Sequence, residues 1–210
     1  MSPLLNFDRI AATPAIHQPF SFLCAGPVLD QPALTAVAGD FPALDGPGLF
    51  TLDGLEYGAR FARLVEELRQ PRLRGIMEEK FDVDLSDKPL MITVRGFCQR
   101  KDGRIHVDST DKVVTGLLYL NDPLWTGEGG RLRLLRGPDS LDDAIAEIPP
   151  HGGTMVVFRR SDQSWHGHAP FEGPRRAVMF NWMKSEAALA KNLLRHKVSA
   201  FVKRGLAVGY

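Results

Sequence analysis

Apolar positions recur at two periods along the 210 residues, and the change of period divides the chain. Between residues 55 and 81, Phe61, Ala62, Val65 and Leu68 stand three and four apart with charges between them. That spacing predicts a helix with one buried stripe. Pro71 interrupts the pattern and can open a second helix, where Leu73, Ile76, Met77 and Phe81 extend the stripe. At Leu90 the period shortens. Leu90–Cys98 is apolar and β-branched and predicts a strand. Lys101-Asp102-Gly103 reads as a hairpin turn, with Arg104–Asp108 as the returning strand. Val113–Leu120, Arg131–Arg136, Ile145–Ile148, Thr154–Phe158, Ser164–Ala169 and Arg176–Met183 predict further short strands between turn signals. Residues 185–204 return to helical spacing, with Ala188, Leu189, Leu193 and Val198 as the candidate stripe.

Close spacing of about eight short strands suggests a sandwich or barrel, mainly β with flanking helices. There is no internal repeat and no linker-like tract, so residues 1–210 read as one domain. Loops and helices fill 1–89, the β core 90–183, and a C-terminal helix 184–210. The first 54 residues are rich in Pro and Gly, and Ala43–Gly54 is loop-like. This segment covers one side of the core or lines a substrate entrance.

Composition removes several classes of function. The 26 basic and 25 acidic residues nearly cancel, which argues against a nucleic-acid-binding face. No apolar run approaches the roughly 20 residues needed to span a bilayer. The N-terminus lacks a basic segment followed by an apolar one, so no secretory signal is read. Cys24 and Cys98 form no disulfide framework and no metal pair, and a reducing cytoplasm is the expected compartment.

The candidate chemistry lies in the β core. His106 and Asp108 are two residues apart, so on a strand they face the same side. One imidazole and one carboxylate are half of a two-histidine, one-carboxylate metal triad. His166 and His168 repeat the spacing, and either could complete it. Arg175 and Arg176 follow a Pro-Gly-rich turn. Parity allows only one of the two to face inward, and an interior guanidinium needs an anion. No P-loop lysine follows Gly127–Gly130, and there is no Gly-x-Ser-x-Gly elbow.

From about Met91 to Met183 these residues resemble the iron(II)- and 2-oxoglutarate-dependent oxygenases, and most closely the prolyl-4-hydroxylase-like group. His106-Val107-Asp108 stands where that family has its H-x-D ligands. Thr115–Asn121 (TGLLYLN) resembles its strand ending in YLN, Gly129-Gly130-x-Leu132 its following turn, and Pro149–Phe158 its P-x-x-G stretch. His166, Pro170, Arg176 and Trp182 keep the spacing H-x3-P-x5-R-x5-W. The resemblance implies a double-stranded β-helix, of the jelly-roll or cupin-like kind, with iron(II) on His106, Asp108 and His166. It implies 2-oxoglutarate as cosubstrate, its distal carboxylate held by Arg176 and Tyr119. It implies dioxygen as the oxidant and hydroxylation of an unactivated C–H bond.

The family's distal histidine is followed two positions on by an apolar residue, where this chain has His168. The spacing to Pro170, Arg176 and Trp182 favours His166 as the ligand and leaves His168 near the substrate. Arg95 and Trp125 are further substrate candidates. Specificity is expected from residues 1–60, Asp122–Glu128 and Gly137–Asp143. The expected substrate is a small molecule, sugar or peptide. A non-catalytic metal- or ligand-binding β-helix is the alternative. A zinc hydrolase on the same ligands would leave Arg176 without a role.

Overall fold

The computed structural model describes residues 2–122 and 125–207, with side chains to residue 196. The Val198 side chain and two residues of the Asp122–Glu128 loop, Pro123 and Leu124, therefore lie outside the described residues. In order the elements are α1 (Phe7–Ala12), β1 (Phe22–Ala25), α2 (Gln31–Gly39), β2 (Phe50–Thr51), α3 (Ala59–Leu68), α4 (Pro71–Phe81), β3 (Leu90–Cys98), β4 (Lys112–Tyr119), β5 (Leu132–Leu135), β6 (Ala144–Ile148), β7 (Met155–Arg159), β8 (His166–Gly167), β9 (Gly173–Met183) and α5 (Glu186–Ala207). Pro71 begins α4 as its position predicts, because its fixed φ suits the first helical turn and its missing N–H costs nothing there.

Two antiparallel sheets form a double-stranded β-helix core. The larger has the order β1-β7-β4-β9-β3-β2 and the smaller β6-β5-β8. Alternation along β4 and β9 assigns each face of the larger sheet to a different layer. Val114 and Leu118, with Val178, Phe180 and Trp182, join Phe61, Leu64, Leu68, Leu73 and Met77 in a core beneath the helices. Leu117, Tyr119 and Ala177 face Leu132, Leu134 and Ile148 of the smaller sheet. Gly116 is required on the helix-covered face: a Cβ there would lie 2.1 Å from the Phe180 ring. The N-terminal segment is tied to α3 by the buried Glu67 carboxylate, which accepts from the Leu4 and Leu5 amides at 2.9 and 2.8 Å.

Several expectations change. The first 54 residues, for which the pattern predicts no individual element, contain α1, α2, β1 and β2, the last inside the loop-like Ala43–Gly54; β1 pairs with β7, and β2 with β3. Arg104–Asp108 is not a strand. It touches the smaller sheet through one bridge, in which His106 and His166 exchange backbone hydrogen bonds at 3.0 Å. Gly103, at φ +82°, turns the chain before it and the Ser109–Lys112 turn closes it after, leaving no length for a ladder. The expected strand Ser164–Ala169 contracts to β8.

Candidate active site

The His106–His166 bridge brings the two chemically active segments together. Their ring centroids are 4.3 Å apart. Asp108, two residues further on, brings its carboxylate to the same place. His106, Asp108 and His166 each offer one ligand atom, and these atoms lie within 4.8 Å of one another. Among the described residues this is the one such group.

Hydrogen bonds fix each ligand. The Nδ1 of His106 lies 2.8 Å from the Arg104 carbonyl and that of His166 3.0 Å from the Ser164 carbonyl. A carbonyl only accepts, so each Nδ1 carries a proton, and Nε2 is the ring nitrogen left to bind a metal. Asp108 accepts from Lys112 Nζ at 2.9 Å and Thr115 Oγ1 at 2.6 Å. Burial alone would raise its pKa, but Lys112, His166 and these hydrogen bonds hold it down at about 2. Burial pushes His166 down to about 4, against the pull of Asp108. Two imidazoles and one carboxylate are a donor set suited to iron(II), with coordination positions left for other ligands. The residues fit the metal.

A cavity of about 340 Å³ opens beside this group. Arg95, His168 and Arg175 line it together with the apolar Leu117, Leu132, Ala177 and Met179. Arg175 is 4% exposed. It donates through Nε to the Gly130 carbonyl at 2.8 Å and through Nη2 to the Tyr119 hydroxyl at 3.1 Å. Burial raises the Tyr119 pKa, so its hydroxyl stays protonated.

Arg176 does not enter the cavity, and the expectation that it faces inward is corrected. Ala177 pairs with Tyr119 and Met179 with Leu117, all on the inner face. Arg175 shares their parity, whereas Arg176 shares that of Val178 and Phe180. Its side chain is exposed, reaches the Ala38 carbonyl at 3.4 Å and lies over the Phe41 ring.

The other candidates separate similarly. His168 lies outside the three-ligand group but lines the cavity. Its Nδ1 faces the Ala169 carbonyl at 2.8 Å and its Nε2 the buried Cys98 Sγ at 3.7 Å. Burial, then Arg175, lower its pKa to about 4. Arg95 lines the cavity in an ion pair with Asp102 at 2.9 Å. Trp125 packs against Phe171, with tilted rings and centroids 5.0 Å apart, and lines a separate cleft with Arg176. Lys112, Thr115 and Asn181, also in the cavity wall, escaped the sequence reading. Thr115 has the parity of Tyr119 and could have been found once that tyrosine was placed inside.

The family signature described as 2OG-Fe(II) oxygenase superfamily matches residues 96–184. No curated protein matches the chain by sequence. Its fold is similar to that of a prolyl-4-hydroxylase from Pseudomonas putida, with 17% identity, 85% of this chain and 96% of that chain covered, and a TM-score of 0.56. It is also similar to a prolyl 4-hydroxylase structure from Phytophthora capsici (15% identity, 87% and 67% covered, TM-score 0.58). HygX from Streptomyces hygroscopicus, solved with nickel and 2-oxoglutarate bound, is 15% identical over 77% of this chain and 81% of that one, with a TM-score of 0.50. At these identities the solved structures speak for the fold, while the matched signature lies over the strands and ligand-bearing segments that build the cavity. Residues 96–184, which carry all three candidate ligands, match the 2OG-Fe(II) oxygenase superfamily, and the site they build is that of an iron(II)- and 2-oxoglutarate-dependent oxygenase.

Proposed function

We propose that the chain, acting as one oxygenase domain, hydroxylates a small-molecule, sugar or peptide substrate. In this reading it holds iron(II) through His106, Asp108 and His166 and the distal carboxylate of 2-oxoglutarate through Arg175 and Tyr119. The observation that carries the cosubstrate assignment is Arg175. It is buried, it pairs with no carboxylate among the described residues, and it lines the cavity of the three converging ligands. A buried guanidinium requires an anion, and a dicarboxylate cosubstrate supplies one. A metal-binding protein without a cosubstrate would have no use for this arrangement.

Bound iron(II) would supply the activation of dioxygen, coupled to decarboxylation of 2-oxoglutarate. The chain supplies the geometry. The Arg104 and Ser164 carbonyls aim the two imidazoles, and Thr115 and Lys112 aim the carboxylate. Arg175 and Tyr119 fix the far end of the cosubstrate. Leu117, Leu132, Ala177 and Met179 keep water from the reacting centre. Prolyl hydroxylation by the fold neighbours supports a peptide as one substrate class. Two free cysteines suit a reducing cytoplasm. No helix among the described residues is long and apolar enough to cross a membrane.

Anaerobic addition of iron(II) and then 2-oxoglutarate tests the reading. A visible charge-transfer band of the chelated 2-oxo acid is the expected result. Iron that binds without producing the band on addition of 2-oxoglutarate would overturn the cosubstrate assignment.

A further inference from the structure

The cavity has a second end, built of different residues. Along the inner face of β9 the side chains run Arg175, Ala177, Met179, Asn181. Six residues at about 3.3 Å each put Asn181 roughly 20 Å along the strand from Arg175. Asn181 stands opposite Thr115 of β4 and Met91 of β3. It is 1% exposed, and its Oδ1 is buried without a hydrogen-bond partner. Buried side-chain oxygens are nearly always bonded, so one left unpaired in a cavity wall points to a ligand that supplies the donor.

Charge marks the same end. Four cationic side chains line the cavity: Arg95, Lys112, Arg175 and Arg195. Arg95 pairs with Asp102 and Lys112 with Asp108. Arg175 and Arg195 pair with no carboxylate among the described residues. Among the described residues Arg195, from α5, donates a hydrogen bond to the neutral Asn192 Oδ1, at 2.9 Å, and to no other group. Beside it His196 is kept neutral, pushed down to about 4 by burial and then by Arg195 and Lys112. Asn192, three residues before Arg195 on α5, donates to Asp111 Oδ2 at 3.0 Å, which sets this turn of the helix beside Lys112. Iron(II) and 2-oxoglutarate carry equal and opposite formal charges, so loading both leaves the balance positive. If Arg175 serves the cosubstrate, as proposed above, Arg195 remains for a second anion.

We propose that the end bounded by Asn181, Lys112 and Arg195 is the primary-substrate subsite, and that it takes an organic anion, a carboxylate or a phosphate ester. The anion sits against Arg195, and a neighbouring hydroxyl or amide N–H of the substrate donates to Asn181 Oδ1. This inference rests on the cosubstrate lying at the Arg175 end.

The test uses protein loaded with manganese(II) and saturating 2-oxoglutarate, titrated calorimetrically with acetate, methyl phosphate and, as the uncharged control, glycerol. Saturable binding of at least one anion and none of glycerol is expected; which anion binds more tightly decides between carboxylate and phosphate. Arg195→Gln should weaken that binding about tenfold, the effect of losing one charged hydrogen bond, while Arg195→Lys keeps most of it. Asn181→Leu should leave the simple anions bound but abolish any preference for glycerol phosphate over methyl phosphate. Arg195 is an exposed helix residue, and circular dichroism checks that each variant is folded. The proposal is overturned if neither anion binds saturably, if glycerol binds equally well, or if Arg195→Gln changes nothing. It is also overturned if the anion displaces 2-oxoglutarate, which would place it at Arg175. The iron(II)–2-oxoglutarate band reports separately: a normal band without anion binding sinks the substrate subsite alone, and a missing band sinks the cosubstrate reading.

Discussion

Arg175 donates from Nη2 to the Tyr119 hydroxyl oxygen at 3.1 Å, and both side chains are buried in the wall between the two sheets. Their strands are held in register by the Tyr119–Ala177 pair of β4 and β9, so the two polar groups meet on the inner face of the larger sheet. Arg175→Met should weaken 2-oxoglutarate binding by about 1.5–3 kcal/mol, roughly 10- to 100-fold, the loss of a charged hydrogen bond. Tyr119→Phe should cost less, about 0.5–1.5 kcal/mol. Arg176→Gln should change the affinity little, because that side chain lies over Phe41 on the other face. Titration of 2-oxoglutarate against the visible band measures all three. Equal losses at Arg175 and Arg176 would contradict the register.

Thr115 Oγ1 donates to Asp108 Oδ2 at 2.6 Å and so sets the orientation of the one anionic ligand residue. Thr115→Val keeps the shape and removes the donor. Partners of this kind typically contribute 10- to 100-fold to metal affinity, so the Kd for iron(II) or zinc should rise by roughly tenfold or more. His166→Ala should lose metal far more completely, whereas His168→Ala should retain it. Competition against a chromophoric chelator gives the numbers. Retention of metal in His166→Ala with loss in His168→Ala would reassign the ligand.

Stability of the metal-free protein should fall as the medium is acidified. His166, His168 and His196 are each pushed from the ordinary 6.5 down to about 4, chiefly by burial. Between these values the unfolded chain takes up protons that the folded chain refuses, so unfolding is favoured as pH drops. The loss should therefore begin near pH 6.5 and level off for these groups near 4. Asp108 acts lower: its folded pKa of about 2 lies beneath the ordinary 3.8, so its contribution is present above 3.8 and lost as pH falls through 2. Urea midpoints measured across this range check the sign. A midpoint that stays level from pH 6.5 to 4 would show that these histidines are not buried as neutral rings.

The β core was readable because its longest strands, β3, β4 and β9, are apolar and β-branched runs between strong turn signals. Leu90–Cys98 and the region around Arg176–Met183 emerge nearly as the spacing predicts. The first 54 residues were not, because their elements are short and set among Pro and Gly. Even so, Asp30 caps α2 through the Ala33 amide, and Asn6 caps α1 through the Arg9 amide, signals that were present and unread. The choice between Arg175 and Arg176 could not be made from alternation. Both faces of β9 are apolar, one against helices and one against the smaller sheet, so parity has no sign until Tyr119 is placed beside Ala177. Asn181 was hidden for the same reason, and Arg195 because a basic residue late in a helix ordinarily reads as solvated.

Gly103 couples the backbone to the site. Its φ of +82° lies in the left-handed region, and a Cβ there would stand 2.3 Å from the His168 ring. Its carbonyl also accepts the His168 amide at 2.8 Å, which holds β8 and His166 in place beside it. Gly103→Ala thus meets strain and a clash at once, and should destabilise the protein by about 1–3 kcal/mol. It should weaken metal binding as well, by moving the segment that carries His166. Gly75, inside α4, is the counterpart: nothing lies within 4 Å of its added Cβ. Gly75→Ala should therefore stabilise by about 0.5–1 kcal/mol through helix propensity alone and leave metal affinity unchanged. Denaturation and metal titration on the two variants separate the effects. A Gly103→Ala protein as stable as Gly75→Ala, with wild-type metal affinity, would show that the approach of Gly103 to His168 is not part of the site.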